Sequence, residues 1–200
     1  FLDRRQSEKG DRANWEAAHR TLLNRAVEAA VFENGSDTIL ESGLAYDRCQ
    51  IGVITNLYPE KHIGRHYIET PEQVYNILRT QVDLVLKDGA AVLNAREPML
   101  VEMAPLSDGE VIFFALDPDQ PAVMAHREQG GRAVIVRFGQ IMLASGQGET
   151  ALARLVDIPI CKHGKDTRQV ENVLAAIGAA WALGISNDVM RTGVETFLAE

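Results

Sequence analysis

Apolar residues switch between two spacings along the chain, and each switch marks an element. In "ANWEAAHRTLLNRAVEAA", Trp15, Ala18, Leu22 and Leu23 recur close to i, i+3, i+7 and i+8. That is the spacing of one helix face and predicts a helix from about Asn14 to Asn24. "AAVFE" is a short β-compatible run ending at Glu33 before the turn-forming "NGSD", so a strand followed by a loop is expected. "TILESGLAYD" fits a short helix closed by Gly43, and "CQIGVITN" is a continuous apolar run of the kind found in strands buried on both faces. "TPEQVYNILRTQVDLVLKDG" opens with Thr70 as N-cap, Pro71 at the first helical position and Glu72 beside the helix dipole. Its Val74, Ile77, Leu78, Val82 and Val85 share one side, which predicts a helix that stops at Gly89. "AAVLN" reads as a strand, "EPMLVEMA" as a helix opened by Glu97 and Pro98, and "EVIFFA" as a further strand.

After Pro118 the pattern shortens. "GRAVIVRFGQIMLASGQGETALARLVDIPI" reads as short strands separated by glycine-containing turns, with "RFGQ" a candidate hairpin. Two helices follow. The first carries Val170, Val173, Leu174, Ile177 and Trp181 on one side and ends at Gly184; the second is capped by Ser186 or Asn187. Alternating strands and helices predict an α/β fold, a mostly parallel sheet with flanking helices on both faces, plus a small β-rich segment after about residue 118. No stretch has linker composition, so residues 1–200 read as one compact unit with an irregular lead-in over residues 1–13.

Composition narrows the function classes. The chain of 200 residues is 46% hydrophobic and 24% charged, enough for one sizeable core. A net charge of −8 lacks the basic stripe of a nucleic-acid binder, so no nucleic-acid partner is expected. No apolar run approaches the ~18 residues of a membrane span, so no membrane partner is expected either. Cys49 and Cys161 form no C-x-x-C pair, which points to buried thiols in a reducing compartment.

In a parallel α/β sheet, ligands sit outside the carboxyl ends of the strands. Three predicted strand ends are polar: Glu33 with Asn34, Thr55 with Asn56, and Asn94. Glu33 and His62 would make an oxygen-plus-nitrogen pair able to hold a divalent cation beside a phosphate. His66 could join His62, whereas His19 lies within a helix and His126, in the charged "AHREQGGR", reads as solvated. His163 stands in the basic turn "CKHGKD" and could face an anion, although a solvated turn is the plainer reading. Lys162 beside Cys161 would lower that thiol's pKa, but no base and orienter can be assigned to make it a nucleophile. The chain holds no G-x-S-x-G, H-E-x-x-H or Walker A phosphate loop.

The stretches "AVFENG", "GLAYDRCQIGVITN", "HIG", "TPEQVYNILRTQVDLVL", "GAAVLNA" and "VENVLAAIGAAWALGI", in this order, resemble the Mur-ligase-like part of the cyanophycin synthetases over nearly the whole chain. The resemblance implies the Mur ligase central domain, with a P-loop-NTPase-like fold, in a cytoplasmic enzyme. The implied activity is ATP-dependent ligation of arginine to the side-chain carboxylates of a poly-aspartate backbone through an acyl phosphate. The implied partners are ATP, arginine and a poly-aspartate or cyanophycin primer, and a homo-oligomer is compatible with it. By the same resemblance Glu33 and His62 contact Mg2+, Asn56 lies near the nucleotide, Asn94 at the ribose side and Asn172 by the adenine. The phosphate loop is then expected upstream of Phe1 and the C-terminal domain beyond Glu200, so that ligation needs the whole polypeptide.

Several positions depart from the family pattern. Ser36 and Asp37 replace R-G or G-G, Tyr58 and Lys61 stand where acids are usual, Arg96 and Glu97 replace the acids of N-A-D-D-P, and Leu78 stands for a lysine. A lysine at 61 sets positive charge beside a cation site and weakens it by repulsion. The alternatives to the ligase are therefore a catalytically degenerate domain serving as an assembly module, and a ligase for another amino acid.

Overall fold

A computed structural model describes residues 13–198, so the expected lead-in falls almost wholly outside the described residues. Contacts divide the chain into two compact units, one formed by Phe1–Asp47 with Pro59–Leu78, the other by Arg48–Tyr58 with Arg79–Glu200. The chain passes between the units within ordinary globular sequence, which is why composition carries no sign of the division.

The smaller unit is helical. Helix α1 spans Trp15–Leu22, and Asn14 caps it by accepting from the Ala17 N–H at 3.0 Å. Helix α2 (Ser36–Ser42) ends on Gly43, whose φ of +73° suits a residue without Cβ. Helix α3 covers Pro71–Leu78, and at its start the Gln73 side chain accepts from the Thr70 N–H at 3.1 Å, the returning half of a capping box. The expected strand ending at Glu33 does not form: residues 24–35 are irregular and Val31 is fully exposed. A run that short becomes a strand only when a neighbouring strand pairs with it.

The larger unit is built on a six-stranded sheet in the order β1 (Cys49–Ile54), β2 (Val85–Asn94), β3 (Glu110–Ala115), β4 (Arg132–Arg137), β5 (Gln140–Ser145) and β6 (Gly148–Arg154). The first four strands are parallel, and β5 and β6 add antiparallel. The helix expected to reach Gly89 stops at Leu78. A short helix α4 (Thr80–Asp83) follows, and "VLKDG" enters β2. Its apolar positions suit either element, and pairing of Val85 with Cys49 on β1 decides for the strand.

Strand alternation fills both faces. Val92, Ile112, Phe114 and Val134 form one core with Val170, Val173, Leu174 and Ile177 of a long helix (Thr167–Ala182), the seventh in chain order and called α7. The intervening Leu93, Phe113, Ala133 and Ile135 are also buried, and the edge of Phe113 meets His126 on helix α6 (Pro121–Glu128), an element that the sequence pattern after Pro118 does not predict. Helix α5 (Pro98–Met103) lies against β2, contributing Leu100 and Met103. Helix α8 (Asn187–Thr196) follows α7, with Ser186 at the N-cap position.

The "RFGQ" hairpin is present. Arg137 pairs with Gln140 across two residues of positive φ, Phe138 at 51° and Gly139 at 72°, the combination of a type I′ turn. At the far edge, Arg191 of α8 donates from Nε to the Leu152 carbonyl at 2.6 Å, occupying an edge-strand acceptor.

Glu149 fastens the antiparallel part. Its carboxylate accepts from Arg127 Nη1 at 2.7 Å and Arg137 Nε at 3.1 Å. Burial alone would raise its pKa, but the two guanidiniums outweigh burial and hold it below the usual carboxylate range. A carboxyl lowered by folding stabilises above the ordinary glutamate pKa and loses that contribution as pH falls through the lowered value. Glu149→Gln is therefore expected to lose roughly 1–2 kcal/mol at pH 7 and to show a flatter acid limb, measured by urea denaturation from pH 7 to 3.

Candidate functional site

The carboxyl edge of the parallel strands is polar and carries three of the expected residues. Asn94, at the end of β2, is 1% exposed. Its Nδ2 donates to the Thr55 carbonyl at 3.1 Å and its Oδ1 accepts from the Arg96 N–H at 3.0 Å. The amide thus ties the end of β1 to the turn after β2. Next to it, Gln120 donates to the Ala95 carbonyl at 3.1 Å, linking the start of α6 to the same turn. Asn56 follows β1, and its buried Oδ1 meets no hydrogen-bond donor among the described residues, an acceptor left open.

Helix α7 runs antiparallel to the strands, since Glu171 near its start meets Arg96 beyond β2 while Trp181 near its end lies under Arg132 at the start of β4. Its first turns therefore stand over the carboxyl edge. Arg96 Nη1 lies 3.1 Å from Oε1 of the buried Glu171, and the exposed Asn172 donates to Gln169 at 3.3 Å. Asn56, Asn94 and Asn172 are thus brought to one edge of one unit. Glu171 gains its place at this edge from the structure; the signal for it in the sequence is an acid inside the apolar run "VENVL".

Glu33 and His62 belong to the helical unit. Glu33 is exposed on the irregular segment before α2. His62 is 6% exposed, its Nε2 lies 2.9 Å from Ser36 Oγ, and its Nδ1 lies 3.8 Å from Asp37 Oδ1. His66 Nε2 lies 3.8 Å from the same Asp37 oxygen, and Arg65 Nη2 lies 3.5 Å from the other. Among the described residues no group of three or more His, Cys, Asp or Glu side chains could hold a metal ion. A Mg2+ here would take one open carboxylate, Glu33, and its remaining oxygens from phosphates and water, which is the habit of that ion in nucleotide sites. Glu33 fits that role; the imidazole of His62 is turned to Ser36 and Asp37 instead.

Other expectations change with the structure. Cys161 is buried, and burial followed by the Asp166 carboxylate pushes its thiol pKa up; Lys162, expected to lower it, pairs with Asp166 at 3.5 Å. His126 is half-buried and bonded to the Val111 carbonyl at 3.0 Å, not solvated. His163 is exposed with Nδ1 at 2.7 Å from the Val156 carbonyl, and Leu78 is buried at the end of α3. No helix among the described residues is long and apolar enough to cross a membrane.

A parallel sheet with polar residues at its carboxyl edge and a helix start above them has the ligand-binding layout of an open α/β domain. The profile of the Mur ligase middle domain matches residues 6–180, and the chain belongs to that family. It is 34% identical to the cyanophycin synthetase of Crocosphaera subtropica and 33% identical to that of Synechocystis, over 96% and 95% of this chain. Both alignments cover 22% of the relative, so the chain spans about a fifth of the length of these proteins. It is 28% identical to the UDP-N-acetylmuramoyl-L-alanyl-D-glutamate–2,6-diaminopimelate ligase of Geobacter metallireducens, over 88% of this chain and 32% of that one. The crystal structure of MurF from Acinetobacter baumannii shares the fold, with a TM-score of 0.51 at 17% identity, covering 84% of this chain and 32% of that one.

Proposed function

We propose that the chain is the ATP-handling middle domain of a ligase that joins arginine to the side-chain carboxylates of a poly-aspartate backbone in the cytoplasm. The observation that carries the reading is the likeness to cyanophycin synthetases along nearly the whole chain, at 34% identity over 96% of it. The asparagines at the carboxyl edge support it. In this reading Asn172 holds the adenine, Asn94 shapes the ribose side, and the open Asn56 acceptor takes a donor near the nucleotide. Glu33 and His62 serve the Mg2+ side, Glu33 as the direct oxygen ligand. Bound Mg2+ would offset charge building on the phosphoryl oxygens while a carboxylate is converted to an acyl phosphate that the arginine amine attacks.

Arginine-dependent phosphate release on a poly-aspartate primer, by the full-length gene product, tests this. Asn172→Ala is expected to raise KM for ATP about tenfold with kcat little changed, since it removes binding shared by ground and transition states. Glu33→Ala is expected to lower kcat/KM by roughly ten- to a hundredfold. Unchanged kinetics in both variants would remove the proposed site.

One observation favours the second reading, a silent assembly module: Asn94 spends a donor and an acceptor on holding backbone, and Arg96 is drawn onto Glu171. A folded full-length protein with no arginine-dependent turnover would select it.

A further inference from the structure

Arg96 is fixed at both ends where the polar edge of the sheet meets α7. Its backbone N–H donates to Asn94 Oδ1 at 3.0 Å, and its Nη1 lies 3.1 Å from Oε1 of Glu171 on the second turn of that helix. Glu171 is buried, so taking the guanidinium away would leave its charge uncompensated, and the pair resists opening. The pairing does not use up the guanidinium. More than half of the side chain is exposed, Nη2 stands 3.8 Å from Glu97 Oε1, beyond hydrogen-bond length, and Nε bonds to no acceptor among the described residues. Asn94 differs, because its amide already serves the Thr55 carbonyl and the Arg96 N–H. Placement selects the part of a nucleotide that the open donors would meet. Glu171 adjoins Asn172, and Asn94 precedes Arg96 by two residues. The guanidinium therefore stands between the residue proposed to hold the adenine and the one proposed to shape the ribose side, and the group that follows adenine along a nucleotide is the ribose.

We propose that Arg96 selects the sugar of the nucleotide, donating from Nε or Nη2 to a ribose hydroxyl, and that Glu171 is a positioning residue that aims it. The inference rests on the ATP-handling reading given above and names a specificity residue within it. A hydroxyl both donates and accepts, so a guanidinium can serve it in a place where the family pattern has an acid. The planar fork matters, since one edge of it stays on Glu171 while the remaining donors face outward. A lysine has the charge and the reach but no second edge. The pair of Arg96 with Glu171 is then a working arrangement, which sets it against the silent-module reading.

The test compares ATP with 2′,3′-dideoxy-ATP in arginine-dependent phosphate release by the full-length gene product on a poly-aspartate primer. The parent is expected to favour ATP by about tenfold or more in kcat/KM, the worth of one hydrogen bond from a charged donor, and Arg96→Met to bring the ratio near one. The two singly deoxygenated nucleotides then tell which hydroxyl is read. Arg96→Lys keeps the charge and is expected to recover little of the preference, and Glu171→Gln, which keeps Arg96 but loosens its aim, to lower it severalfold. A lost ion pair that only weakened the fold would slow turnover with both nucleotides alike and leave their ratio unchanged. If Arg96→Met, its buried acid left alone, fails to fold by circular dichroism, the double variant Arg96→Met with Glu171→Gln takes its place and is expected to lose the preference too. Isothermal titration with the same two nucleotides reads the difference between parent and variant without turnover. A parent that uses both nucleotides equally, or a variant that keeps the parent's preference, would overturn the inference and leave the ligase reading standing. A folded parent with no arginine-dependent turnover would remove the ligase reading and this inference with it.

Discussion

Gly89→Ala is expected to destabilise the larger unit by about 3 kcal/mol or more, the upper end of what an added core methyl group costs. A Cβ at this position would lie 2.1 Å from the Gln50 carbonyl oxygen and 3.1 Å from that of Leu86. Neither neighbour is a side chain that can turn away. Between the Cys49–Val85 and Ile51–Ala90 pairs the register shifts, so β2 spends extra residues there while β1 advances by fewer. Gln50 fixes the bulge by donating from Nε2 to the Asp88 carbonyl at 2.9 Å. The methyl group would have to push β1 off β2 at the start of a parallel pair that leads to Asn56 and Asn94. Chemical denaturation followed by tryptophan fluorescence would read the loss, since Trp181 of α7 packs against the core of this sheet. A midpoint within error of the parent's would mean that the strands open at this point without resistance.

Asn94→Leu is the second large effect, expected at roughly 3 kcal/mol because it strands two part-buried backbone groups at a buried side chain. Leucine keeps about the same volume but leaves the Thr55 carbonyl and the Arg96 N–H without partners beside a side chain that is 1% exposed. Each group so stranded costs about 1–3 kcal/mol. Asn94→Asp should fall between, since a carboxylate still accepts from Arg96 but presents oxygen to the Thr55 carbonyl. Asn172→Ala, by contrast, is expected to leave the denaturation midpoint nearly unchanged because its side chain is exposed. Equal losses at 94 and 172 would contradict the division of labour between the two asparagines.

The parts of the fold that are legible in the sequence are those where local and tertiary preferences agree. The Asn14 cap, the Gly43 stop, the apolar run of β1 and the "RFGQ" turn each carry their own chemistry. The segments that depart from expectation are those where a distant partner decides. "AAVFE" has strand character but finds no strand partner among the described residues, and "VLKDG" continues a helical spacing yet is claimed by β1. Helix α6 escapes the pattern although Pro121 opens it, because its polar composition gives little apolar periodicity. At the site, the polar strand ends point to Asn56 and Asn94, and family likeness adds Asn172. No spacing reveals Asp37 beside His62, or Arg96 on Glu171, because these meetings depend on how loops fold back.

Asn94 also bears on how copies of this domain diverge. Its amide is needed to close the turn whether or not a nucleotide ever arrives, so purifying selection for folding alone will preserve it through the loss of catalysis. The exposed Asn172 has no such protection and will drift once binding ceases to matter. On the proposed role of Asn172 at the adenine, the residue at 172 is therefore the better record of past binding among descendants of this domain, while the one at 94 records only that the chain still folds.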